Sequence, residues 1–200
     1  MTRRELVLGL AVLPGLYAAM AFAADSDDAK KKAEEAKKKD QERADIRKTV
    51  QQTLGRLYKA QPSAKAAVAK AAGYAVFNNF GMKILVAGSG TGKGLAFDNK
   101  TKKQTFMKMV ELQAGLGFGV KKFSLVWVFD SASGLNGFIN SGWELGAQAS
   151  AAAKAGDKGA AMQGALAIAP GVWLYQLTDA GLALELTAKG TKYYKDSDLT

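Results

Sequence analysis

The sequence predicts an α+β fold: a mainly antiparallel, strongly curved sheet or small β-barrel, with N-terminal helices and one short inserted helix. Three observations predict it. Helical periodicity dominates before Gly73. From Tyr74 onward, short apolar runs alternate with turn residues, the texture of successive strands. Small residues and glycines also recur at strand spacing, which suits a sharply bent sheet whose backbones approach closely.

The chain opens MTRRELVLGLAVLPGLYAAMAFAADSDD. Arg3 and Arg4 precede an apolar run from Leu6 to Ala19, and Ala21-Phe22-Ala23 supplies a small-residue exit. This is the layout of a secretory signal peptide over residues 1–23. Export to the periplasm or cell envelope is therefore expected, with the mature chain starting at Ala24. An uncleaved anchor is the alternative, and Pro14-Gly15 and the small exit residues favour cleavage. Residues 24–45 form a charged spacer, helical or disordered. Between Asp25 and Lys48 nine basic residues face eight acidic ones, and Glu34 with Lys38 and Glu35 with Lys39 are favourable i,i+4 pairs. The net charge of +10 therefore lies mostly beyond it.

The remaining residues, 46–200, are long enough for one domain with its own core. Ile46, Val50, Leu54 and Leu57 form a helical stripe, read as docked on the sheet, with membrane-interface insertion as the alternative. Pro62 ends this helix, and Ser63 is expected to cap a second one that stops by Gly73. Strands are expected in YAVF, MKILVAG, GLAFDN, QTFMKMVE, AGLGFGV, SLVWVFD, WELGAQASAAA, GALAIAPGVWLYQL and GLALELTAKGTKYY. Asn78-Asn79, Asp98-Asn99 and Asp157-Lys158-Gly159 are turn chemistry, and Ser131 is placed as the cap of a short helix reaching Asn140. Trp127, Trp143 and Trp173 are read as core residues, and Tyr193-Tyr194 as closing the sheet.

The stretch GSGTGK invites a phosphate-loop reading, which fails on its parts. The position after Lys93 is Gly94 rather than Ser or Thr, the first glycine of the motif is replaced by Ala87, and no helix pattern follows. It is read instead as a glycine-rich hairpin displaying Lys93 at its tip. The chain has neither His nor Cys, so a zinc site, a thiol nucleophile or a Ser-His-Asp triad cannot be built. Glu111, Asp130, Glu144 and Glu185 are scattered one per element, without the carboxylate pair of a glycosidase. No enzyme activity, cofactor or metal is expected.

In order and spacing, AKAAGYAVF, GSGTGKGLAF, QTFMKM, AGLGFGV, LVWVFD and YQLTDAGLALELTAKGTKYY resemble the SYLF domain family, over some 140 residues from Pro62 on. The tryptophan and proline common after the glycine-rich segment in eukaryotic members are absent here. The resemblance implies lipid binding, with a phosphoinositide preference in eukaryotic members and actin association in some yeast ones. An exported bacterial protein would meet neither actin nor, ordinarily, polyphosphoinositides, so the resemblance carries over the fold and an affinity for anionic lipid surfaces.

Charge points the same way independently, since basic side chains attract anionic headgroups by about 1 kcal/mol each. The expected function is non-catalytic, peripheral binding of anionic phospholipid. The residues expected to carry it are Arg56, Lys59, Lys65, Lys70, Lys83, Lys93, Lys121 and Lys122. The alternative is an envelope scaffold that binds a protein partner without lipid. Nucleic acid is not expected as a partner, because no recognition motif accompanies the charge and the N-terminus directs the chain outward.

Overall fold

The computed structural model describes residues 15–79, 89–112, 123–145, 163–183 and 191–200. The chain divides into two units, Met1–Gln41 and Glu42–Thr200. Helix α1 (Gly15–Ala60) contributes to both. In the first unit residues 28–41 are exposed throughout. Within the second unit the helix gains a buried face.

Among the described residues the second unit is built on nine antiparallel strands: β1 (Gly73–Asn79), β2 (Ser89–Asp98), β3 (Gln104–Leu112), β4 (Phe123–Phe129), β5 (Trp143–Leu145), β6 (Leu166–Ala169), β7 (Val172–Thr178), β8 (Gly181–Ala183) and β9 (Thr191–Lys195). Their order is β5-β9-β3-β2-β1-β4-β7-β6, with β8 also on β7, and the sheet curls into a half-barrel. The expected α+β class and strong curvature are therefore observed. The short strands β5, β6 and β8 occupy the margins, which leaves little unpaired backbone to template aggregation.

Helices cover both faces of the sheet. On one face α3 (Ala132–Ser141) sends Leu135 and Phe138 into a core with Phe77, Trp127, Phe129, Tyr193, Met107 and Met109. The rings of Phe77, Trp127, Phe129, Phe138, Trp143 and Tyr193 stack edge-on or tilted at 4.9–6.1 Å. On the other face Ile46, Val50, Leu54 and Leu57 of α1, with Ala64 and Val68 of α2 (Ser63–Lys70), pack on Val76, Leu95, Val126, Val128 and Tyr175. This double cover explains why every residue of β4 is buried, where a one-sided antiparallel strand would alternate. The Ile46–Leu57 stripe is thus docked on the sheet.

Asn78-Asn79 is not a turn but the end of β1, in register with Lys93 and Gly92 of β2. Two further local expectations need correction. Ser63 is the first residue of α2, not its cap; Pro62 holds the cap position, and the Ser63 hydroxyl accepts from Gln61 Nε2 at 2.6 Å. Proline suits a helix start because its ring fixes φ near the helical value. Ser131 does cap α3, accepting from the Gly134 amide at 3.1 Å. The second correction concerns GSGTGKG, which is not a hairpin tip. It runs straight into β2, with Lys93 opposite Asn78 on β1 and Lys108 on β3. The glycines permit close approach rather than a turn. A Cβ on Gly94 would collide with the Val76 carbonyl oxygen and the Phe77 ring, and one on Gly92 with Met109 Cε. The strands expected in MKILVAG and AGLGFGV, most of WELGAQASAAA, and the turn expected at Asp157-Lys158-Gly159 lie outside the described residues.

Candidate functional site

The buried stripe of α1 and α2 fixes what these helices present outward. Because Ile46, Val50, Leu54, Leu57, Ala64 and Val68 face the sheet, Lys48, Arg56, Lys59, Lys65 and Lys70 are left exposed. Polar contacts hold α1 in register. Arg47 Nε donates to Gln104 Oε1 at 2.8 Å while its guanidinium lies 5.1 Å from the Phe106 ring centre. Arg43 Nε donates to the Leu199 carbonyl at 2.9 Å, and Arg56 Nη2 to the Thr178 carbonyl at 2.9 Å. Deeper in, Ser124 Oγ donates to Asn78 Oδ1, and Asn78 Nδ2 donates to Thr53 Oγ1 at 3.2 Å.

Four of the basic residues expected to bind lipid are thus exposed on the two helices, with Arg56 at the Thr178 end of the sheet and Lys70 at the Asn99 end. Arg56 and Lys59 end α1, and Lys65 and Lys70 lie on α2. Lys93 does not join them as a free cation. It forms an ion pair with Glu42 of α1. Lys83, Lys121 and Lys122 lie outside the described residues. The sequence carries a stronger signal than the individual lysines. From Ile46 to Phe97 there are eight Lys or Arg and no Asp or Glu.

A second basic group, missed from sequence, lies at the turn between β2 and β3. Lys100, Lys102 and Lys103 are all exposed there. The turn is tightly built. The Asp98 amide donates to the Lys103 carbonyl at 3.0 Å, and the Lys102 amide to the Asp98 carbonyl at 2.9 Å. The Asp98 carboxylate accepts from the amides of Lys100 and Thr101 at 2.8 Å each. These donors, the Thr101 amide foremost, hold Asp98 below the usual carboxylate range. Asn99 Nδ2 donates to the carbonyls of Val68 and Ala71, at 2.8 and 2.9 Å, tying the turn to the end of α2 beside Lys70. The cue in the sequence was the run NKTKK directly after a turn-forming Asp.

The other charged cluster is structural. Lys108 Nζ reaches Asp198 at 2.7 Å and the buried Asp196 at 3.0 Å. The hydrogen bonds to Asp198 and then Asp196 raise the Lys108 pKa above its ordinary value. Among the described residues no group of three acidic side chains is placed to hold a metal ion.

These exposed ammonium groups can hold anions but offer no nucleophile or base. The chain is similar to Beta cell expansion factor A of Aeromonas veronii. The identity is 34% over 149 residues, 74% of this chain and 54% of the relative. The chain therefore spans about half the length of the curated relative it matches. No family model matches it. Among the described residues no helix is long and apolar enough to cross a membrane.

Proposed function

We propose that the 46–200 region is a SYLF-type domain that binds anionic phospholipid surfaces peripherally and without catalysis, in the cell envelope after export. The observation that carries this reading is the acid-free stretch from Ile46 to Phe97, in which the apolar stripe of α1 and α2 faces the sheet and Arg56, Lys59, Lys65 and Lys70 are exposed. Each lysine near an anionic surface contributes about 1 kcal/mol, so four give useful affinity with no lipid pocket. The relative's name records an effect on beta cells and no ligand, so it neither adds to nor subtracts from this reading.

The test is sedimentation of the protein with neutral and with anionic vesicles at low and physiological salt. Binding is expected to anionic vesicles alone, weakening as salt screens the charges over about 10 Å at 0.1 M. Lys59→Gln, Lys65→Gln and Lys70→Gln together should reduce it. A folded protein that stays in the supernatant with every anionic vesicle at low salt overturns the proposal. The envelope scaffold with a protein partner would then be the reading to pursue.

A further inference from the structure

Lipid binding by the outward face of α1 and α2 leaves open which part of the domain touches the surface first. The β2–β3 turn answers this through two features that stability alone does not require. The first is an excess of positive charge. Lys100, Lys102 and Lys103 crowd the five-residue connection 99–103 beside Lys70, and none forms a side-chain ion pair within 4.0 Å among the described residues. The turn's own carboxylate, Asp98, accepts from two turn amides and attracts Lys100, so three ammonium groups face one carboxylate. The second is backbone strain. Lys102 adopts φ 61° and is the sole non-glycine residue with positive φ among those described. Glycine or asparagine would occupy that position at lower cost, yet a lysine is held there.

The geometry points to this turn, with Lys70, as the part of the domain that meets an anionic membrane. The sheet would then stand with its Gly73–Phe129 end against the headgroups. The inference rests on the lipid reading and adds an orientation to it. A membrane is the partner the chemistry favours over a nucleic acid. The cations of the turn are all ammonium groups, with no Arg fork to read a base edge. Tyr194, the one large apolar side chain exposed among the described residues, is on β9 and not at the tip. Separate point charges suit a planar, laterally mobile layer of phosphates.

The experiment compares three full-length proteins on anionic vesicles at low salt: the wild type, K100Q/K102Q/K103Q, and K30Q/K31Q/K32Q, which makes the same change in net charge. At about 1 kcal/mol per lysine, or about fivefold each, the turn variant should bind about a hundredfold more weakly than the wild type, and the control should keep most of its affinity. Replacing the three turn lysines by arginine should restore binding. Because the chain has no cysteine, one label reports orientation. A fluorophore at Thr101→Cys should be quenched by spin-labelled headgroups. One at Asp179→Cys, in the turn after β7 at the opposite end of the sheet, should not. If the wild type does not bind, the lipid reading itself falls. If it binds but the turn variant matches the control, or Asp179→Cys is quenched and Thr101→Cys is not, the orientation alone is overturned.

Discussion

A methyl group added at Gly94 would meet the Val76 carbonyl oxygen and the Phe77 ring at once. Neither can retreat, because one is backbone in β1 and the other is packed in the aromatic core. Gly94→Ala should therefore destabilise the fold by roughly 2–4 kcal/mol in urea titration. The same change at Gly55, in mid-helix with nothing within 4 Å of the added carbon, should stabilise it by roughly 0.5–1 kcal/mol. The opposite signs separate a glycine needed for close approach from one that merely lowers helix propensity. The hairpin reading of GSGTGKG overlooked this distinction. Glycine at 88, 90, 92 and 94 repeats every second residue, the period of a strand.

At the level of elements, one row across the sheet is polar where its surroundings are apolar. Ser124, Asn78, Lys93, Lys108 and Tyr194 follow one another in register on β4, β1, β2, β3 and β9. Lys93 and Lys108 stand directly opposite each other, a repulsive arrangement offset by Glu42 on one side and by Asp196 and Asp198 on the other. Lys108 is more basic in the folded than in the unfolded chain. Its contribution is therefore complete below the ordinary lysine value of 10.5 and is lost as pH rises through the raised one. The difference in urea midpoint between the wild type and Lys108→Met should be largest near neutrality and shrink above about pH 10.5. The docked face of α1 was legible in advance, because Ile46, Val50, Leu54 and Leu57 repeat within one helix. The polar row was not, since it joins residues brought together only by strand pairing.

For the whole molecule, the charged start of α1 is expected to add little stability. Residues 28–41 are exposed on every side, and exposed helical ion pairs contribute only tenths of a kcal/mol. Removing residues 1–41 should leave the unfolding free energy within about 0.5 kcal/mol of the parent. A larger loss would show that the first unit supports the second. The candidate site was half legible. Lys65 and Lys70 stood out on a short helix, but the lysines of the β2–β3 turn gained meaning only when Asn99 was found bonded to the end of α2. The sheet order also bears on how the chain must be assembled. β9 lies between β3 and β5, and β5 pairs with no other strand among those described. During synthesis β5 must therefore wait some fifty residues for the neighbour that anchors it. Until Thr191–Lys195 emerges, the flank of β3 stands open and Tyr193 is missing from the ring cluster. A chain stopped short of β9 would thus lose two strands rather than one, and such a sheet is completed after translation rather than strand by strand during it.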